Sequence, residues 1–236
     1  MDGGIVKTKI VRTDNLNRMV AALAELARRG PGVPGLALVH GHQGYGKTVA
    51  TEWWAVQHGA VYLRAQAAWT VPWLLMDLAA ALGLAPEHIS RNNFRLAARE
   101  LRQRPRAVLL DEADYLVRDR RLLDTVRDIY DGTGAPVVLV GMAGMREAVA
   151  RRSPQCWSRV SQEVEFLPMT VEDVRLVALE LCDLELNRDQ ARRIVRETEG
   201  NFRRTVVLLH HLETRRRAHP EAEVGEMVEQ AARRAG

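Results

Sequence analysis

Two cysteines and three lysines are all that the 236 residues contain. Cys156 and Cys182 are too few for a disulfide framework and too far apart for a zinc-ligand pattern, which excludes a stapled secreted scaffold and a zinc module. Reduced thiols in a cytoplasmic protein are the expectation. Aromatic residues are scarce, at 5%. The longest uncharged stretches, such as Gly132 to Met145, are shorter than a membrane span and broken by Gly or Pro, so no membrane helix is expected. The opening MDGGIVKTKIVRTD has no apolar core and no small-residue cleavage site, so no secretion signal is expected either. Internal repeats and low-complexity tracts are also missing.

What remains is the composition of a globular chain, 47% hydrophobic and 27% charged. This length corresponds to one large domain or a main domain with a small appendage, enough to bury a core without disulfides or metals. The formal charge is +4, and lysine supplies only Lys7, Lys9 and Lys47 of the 34 basic residues, leaving 31 arginines. A coding bias toward arginine accounts for the bulk of them, and a polyanion-binding face is the alternative. The modest net charge does not separate the two. It does single out Lys47, a lysine kept where the background uses arginine.

Hydrophobic periodicity divides the chain into alternating elements. A helix is expected over Asn15–Arg29, then a buried strand over Leu36–Val39, a helix over Thr48–Gln57 and a strand over Ala60–Leu63. Helices over Pro72–Leu82 and Phe94–Arg102 precede an apolar strand, Ala107–Leu110. A helix over Arg121–Tyr130, a strand over Pro136–Val140 and a last strand over Glu163–Leu167 complete the series. Strands separated by helices predict an α/β fold, a parallel sheet with helices on both faces. After Pro168 no strand is expected. Thr170 to Asp173 reads as a helix cap with acids in the first turn, and helices over Arg188–Glu197 and Phe202–Arg217 follow. Pro220–Gly236 reads as a further helix or a frayed tail. The expected domains are 1–167, α/β, and 168–236, a helical lid with its tail.

Gly41-His42-Gln43-Gly44-Tyr45-Gly46-Lys47-Thr48 fits the phosphate-binding loop at every fixed position, between an apolar strand and a helix. Glycines let successive N–H groups turn toward phosphate oxygens, and the helix N-terminus adds positive potential. Lys47 is expected on the β- and γ-phosphates, and the Thr48 hydroxyl on magnesium. Val108-Leu109-Leu110-Asp111-Glu112 is an apolar strand ending in two acids about sixty residues later. In phosphate-loop hydrolases the first acid, here Asp111, holds the metal shell, and the second, Glu112, polarises the attacking water.

Together the phosphate loop, the LLDEAD segment and the helical C-terminal part resemble the AAA+ ATPases, over roughly Ile10 to Arg217. Ser158-Arg159-Val160 looks like the box whose arginine reaches a neighbouring subunit's nucleotide, and Gly200-Asn201-Phe202-Arg203 is similar to the sensor-2 motif. The resemblance implies ATP and Mg2+ as cofactors. It places Gly41, His42, Gln43, Gly44, Tyr45, Gly46, Lys47, Thr48, Val49 and Arg203 on the nucleotide, Thr48 and Asp111 on the metal, and Glu112, Lys47 and Arg159 in catalysis. One departure stands out. The sensor-1 position after the Val137–Val140 strand usually carries Asn, Thr or Ser, and here Gly141-Met142 offers no such group, consistent with slow or conditional hydrolysis.

Compact size, the VRT segment, the DEAD-type strand and VLVGM are most similar to the DNA-transposition regulators of this group. That likeness implies an ATP-dependent homo-oligomer, ring or filament, on duplex DNA without sequence preference, acting on a transposase and away from membranes. The chain begins almost at the core, so DNA binding is expected from the assembly itself. Alternatives are a secretion- or signalling-type ATPase that ignores DNA and a nucleotide-gated scaffold with negligible turnover. Candidate DNA contacts are Arg64, Arg118, Arg120 and Arg121, with Trp69 beside Arg64. Core packing or subunit contact is the better reading for Trp53, Trp54, Trp73 and Trp157. His40 and His42 are expected to lack acidic partners, and His210-His211 to lie on the surface.

Overall fold

The computed structural model describes residues 10–218. In chain order the elements are α1 (Asp14–Ala27), β1 (Leu36–Gly41), α2 (Lys47–His58), β2 (Val61–Arg64), α3 (Val71–Ala81), α4 (Ser90–Gln103), β3 (Val108–Asp111), α5 (Asp114–Arg118), α6 (Arg120–Thr133), β4 (Val137–Gly141), α7 (Met145–Arg152), α8 (Pro154–Trp157), β5 (Val160–Phe166), α9 (Val171–Cys182), α10 (Arg188–Thr198) and α11 (Phe202–Ala218). Every expected helix and strand within these residues is present, with ends shifted by a few positions. Three short helices, α5, α7 and α8, were not legible as such. Each is eight residues or fewer, too short to show helical periodicity. The expected element over Pro220–Gly236 lies outside the described residues.

Two compact units emerge. The larger takes in Arg18–His42 and Lys47–Glu165. Its five strands form a parallel sheet in the order β2-β3-β4-β1-β5, flanked by helices. Leu36 pairs with Val137 and His40 with Gly141, while Arg64 stands opposite Asp111. Strands covered on both faces need apolar side chains at consecutive positions. This is why Leu36, Ala37, Leu38 and Val39 are all fully buried, as are Leu139 and Val140. Leu36, Leu38, Leu110 and Leu139 join Leu74, Leu78, Leu101 and Leu123 in one core. Removing such a leucine to alanine typically costs about 2–5 kcal/mol through lost transfer and the cavity left behind. The sheet therefore holds its strand ends firmly, and Asp111 is the last residue of β3.

Among the described residues the smaller unit consists of those up to Asn17, Gln43–Gly46 and Phe166 onward. Its core gathers Val174, Val177, Ala178, Ile194, Leu209 and Leu212 with Val11. Thr170 caps α9 as its sequence indicated. Its hydroxyl accepts from Asp173 N at 3.1 Å, and the Asp173 carboxylate accepts from Thr170 N at 3.0 Å. Asp173 also accepts from Asp14 N at 2.8 Å. Asn15 is buried and closes a two-way bridge to the backbone, donating to Leu167 O at 2.7 Å and accepting from Leu167 N at 2.9 Å. The N-terminal segment is thereby tied into the helical unit by polar groups that a plain amphipathic reading does not reveal. Burial pushes the Cys156 thiol up to about 12 and the Cys182 thiol to about 11, so both are protonated at neutral pH.

Candidate phosphate site

The glycine loop starts where β1 ends. Gly44 and Gly46 have φ of 82° and 90°, a region that side-chain-bearing residues rarely enter. Within the smaller unit the loop's tip is held by the start of α11. Asn201 donates its side-chain amide to Gln43 O at 2.9 Å, and Arg203 N donates to Gly44 O at 2.9 Å. A Cβ on Gly44 would lie 2.5 Å from Asn201 Oδ1, so glycine there is required by contact as well as by conformation. Arg203 thus lies next to the loop in its own unit, with an exposed side chain. His42 and Val49 are exposed, and Tyr45 is half-buried.

In the larger unit Lys47 opens α2 and is 8% exposed. Its ammonium donates to Gly41 O at 2.7 Å and His42 O at 2.9 Å. Burial lowers its pKa, opposed by the charges of Asp111, Asp114 and Glu112. An ammonium among backbone carbonyls, with three carboxylates in its field, is the electrostatic arrangement that a phosphate anion with its cation would complete.

Asp111 ends β3 and is 3% exposed. Its Oδ2 accepts the Thr48 hydroxyl at 2.8 Å and the Tyr62 hydroxyl at 2.7 Å, and its Oδ1 accepts from Glu112 N at 2.8 Å. The Tyr62 hydroxyl is held protonated, first by burial and then by its bond to Asp111. Thr48 and Asp111, the two residues expected on the metal, are therefore joined by a direct hydrogen bond. Oxygen donors suit magnesium, which keeps most of its shell as water and phosphate and needs only one or two protein groups. The described residues contain no cluster of three His, Cys, Asp or Glu that would hold a metal by itself. The donors fit a magnesium ion brought with a nucleotide. When bound, that ion would neutralise charge on the phosphates, with Thr48 and Asp111 holding its shell.

Glu112 adopts φ of 53°, left-handed backbone for a residue with a side chain. Such strain, on the order of 1–3 kcal/mol, persists where the surroundings enforce it and clusters at functional sites. The carboxylate accepts from Arg64 at 3.2 Å. Arg64, one of the candidate DNA contacts, is therefore aimed at the acid expected to activate water. Arg118 stacks over the Tyr115 ring at 4.7 Å, Arg120 pairs with Asp124 at 3.2 Å and Arg121 with Asp119 at 2.9 Å. Arg159 makes a two-point pair with Asp131, at 3.0 and 3.2 Å, and donates to Ser158 Oγ at 3.0 Å.

Two expectations are corrected. Trp69 is 6% exposed and donates to Asp77 at 2.9 Å, so it packs in the core and cannot line DNA. His40 does have an acidic partner, Glu163, at 2.9 Å, which Arg146 also reaches at 3.1 Å. That partner comes from β5, 123 positions away, beyond any local pattern. His210 and His211 are exposed, as expected. Sequence reasoning gave no role to Tyr62 or to Asp114. A polar residue on the strand beside the acidic one, and the last acid of the LLDEAD segment, were the available signals.

Residues 32–149, half of the chain, match the family model described as an AAA domain. Over 179 residues the chain is 26% identical to the Mu-like prophage FluMu DNA transposition protein B of Haemophilus influenzae, covering 71% of this chain and 61% of that protein. The chain thus spans about three fifths of that relative's length. Its fold is shared with the Aeropyrum pernix ORC2 protein in ADPNP-ADP complexes (TM-score 0.73, 15% identity, 96% of this chain and 70% of that chain). It is shared too with the Aeropyrum pernix ORC1 protein in complex with DNA (TM-score 0.62, 20% identity, 97% and 66%). Domain III of the Thermotoga maritima replication initiation protein DnaA is similar over 97% of this chain and 95% of that one (TM-score 0.61, 14% identity). At these identities the likeness to solved structures is one of fold.

Proposed function

The chain belongs to the AAA domain family, and from that premise we propose that it is an ATPase that assembles on duplex DNA and regulates transposition. The observation that carries the nucleotide reading is the set Lys47, Thr48, Asp111 and Glu112 gathered at the ends of β1 and β3. The transposition reading is supported by the relative named a DNA transposition protein B, and DNA binding by a fold neighbour solved in complex with DNA. In this reading Gly41 to Val49 and Arg203 take the nucleotide, Thr48 and Asp111 the magnesium shell, and Glu112 the proton of the attacking water. Arg159 serves a neighbouring copy in a ring or filament. Residues 1–167 form the nucleotide-binding domain and 168–236 the lid. A transposase is the protein partner, and the cytoplasm is the compartment.

A second reading has its own support. Glu112 is paired with Arg64 and β4 ends in Gly141, so a nucleotide-gated scaffold with negligible turnover is the alternative. DNA binding itself is tested by fluorescence anisotropy on unrelated duplex sequences, with and without ATP, across salt. Contacts to the phosphate backbone predict similar affinities for all sequences. They also predict a log–log salt slope of about 0.9 per neutralised phosphate. Binding that ignores ATP, or an affinity insensitive to salt, would refute ATP-dependent assembly on the DNA backbone, and no DNA binding at all would favour a secretion- or signalling-type ATPase. Replacing Arg118, Arg120 and Arg121 together should lower that slope if they contribute contacts.

A further inference from the structure

β4 ends in Gly141, so the strand beside the phosphate loop's strand brings no side chain of its own to that end. The space is nevertheless filled. A Cβ on Gly141 would lie 2.7 Å from Asp114 Oδ2, and 2.5 Å from Met145 Cγ. Asp114 opens α5, three residues beyond Asp111, and the LLDEAD sequence thus folds its last acid back across the end of β4. Met142 N, the first amide after the strand, donates to both of its oxygens, at 3.2 Å to Oδ1 and 3.0 Å to Oδ2. The backbone beneath is fixed as well, because Ala113 N donates to Val140 O at 2.8 Å.

A carboxylate has about four lone-pair sites, and the N–H groups of Met142 and of Asp114 itself leave some of them open. The charges of Glu112 and Lys47 act on it. Burial raises the Asp114 pKa and Met142 N lowers it, while Glu112 raises it and Lys47 lowers it. In return Asp114 acts on Lys47. A half-buried acid pinned at this point, in the field of both the phosphate-binding lysine and the water-activating glutamate, has no need of that position for packing alone.

We propose that Asp114 supplies, from the end of the acidic strand, the water-orienting polar group that β4 lacks. The assignment rests on the hydrolytic reading above. In the step it serves, the water oxygen bonds to the γ-phosphorus while the bond to the β-phosphate oxygen breaks, and that electron pair leaves with ADP. One water proton passes to Glu112. The other hydrogen is held by Asp114, which stays unchanged and fixes the direction of attack. The amide bond from Met142 keeps the carboxylate in place, and Gly141 is the residue that leaves room for it.

The test is steady-state ATPase kinetics, with direct ATP binding and thermal unfolding, on wild type, Asp114→Ala and Asp114→Asn. Mispositioning of a reacting group costs on the order of 10²-fold in rate. Asp114→Ala should lose that much in kcat while its ATP affinity stays within a few-fold of wild type. Asp114→Asn keeps an acceptor oxygen and should retain most turnover. Asp114→Ala turning over like wild type, or losing ATP affinity and kcat in equal measure, overturns the assignment. So does an Asp114→Asn variant that is folded and as inactive as alanine. Absence of turnover in the wild type, with DNA present, overturns the hydrolytic reading itself and the role of Asp114 with it.

Discussion

Tyr62→Phe isolates one bond at Asp111, the acid proposed to hold the metal. Asp111 is 3% exposed and accepts three donors, of which the Tyr62 hydroxyl, at 2.7 Å, is the one not inherent to the phosphate loop or to the acidic strand itself. A hydrogen bond to a charged group contributes about 1.5–3 kcal/mol. Tyr62 is only half-buried, so the lower end of that range, about 1.5–2 kcal/mol, is expected. For a domain of this size 1 kcal/mol moves Tm by about 2–4 °C, giving a loss of about 3–8 °C. The pH dependence follows from the direction of the Tyr62 shift. Its folded pKa is raised above the unfolded value of about 10, so the contribution is complete below that value and fades as pH climbs through the folded one. The gap between wild type and Tyr62→Phe should therefore be flat from about pH 7 to about pH 9 and shrink in more alkaline buffer. Thermal unfolding followed by circular dichroism reads both. A Tyr62→Phe protein as stable as wild type at neutral pH, or a gap that widens above about pH 10, would show that the phenol does not support Asp111.

Glu112→Gln should retain nucleotide and magnesium binding while turnover falls by about 10²–10⁴-fold, because an amide cannot take the water's proton; equal rates in a coupled ATPase assay would remove Glu112 from that role. Arg159→Ala should bind nucleotide normally as an isolated subunit and lose assembly-dependent hydrolysis, where such arginines contribute about 10³–10⁵ in related enzymes. Mixing it with Lys47→Ala should restore some activity, since mixed assemblies place an intact lysine site against an intact arginine; no recovery at any ratio, with co-assembly confirmed by light scattering, would return Arg159 to a structural pair with Asp131.

The parts of the site that could be read from the sequence are those whose chemistry is local. Lys47 and Thr48 follow six loop residues, and Asp111 and Glu112 follow an apolar strand, so spacing alone announces them. The sheet was legible for the same reason, as Leu36–Val39 and Val137–Val140 are runs that only a doubly covered strand explains. Groups delivered from a distance were not. Tyr62 reaches Asp111 because β2 pairs with β3 in a register that no local pattern specifies. Glu163 meets His40 across 123 positions. Asp114 becomes informative only once α5 is known to turn it back over Gly141, and α5 is five residues long. Gly141 looked like a missing group in the sequence. In three dimensions it is the space a neighbouring carboxylate occupies.

The arginines illustrate how little a composition decides. A count of 31 invites a polyanion-binding surface, yet the guanidiniums of Arg64, Arg120, Arg121 and Arg159 each face an acid of their own chain. Exposed ion pairs contribute only about 0–1 kcal/mol, since water and salt screen them. A nucleic acid phosphate, or the γ-phosphate of a neighbour's nucleotide, can therefore outcompete Asp131 for Arg159 or Asp119 for Arg121 at small cost. Arg64 differs in what its release would do. Its partner is Glu112, so any anion that draws Arg64 away also uncovers the acid assigned to water activation. Hydrolysis in such a protein would be tied to what the surface arginines bind, and a coupling of that kind needs no movement larger than one side chain.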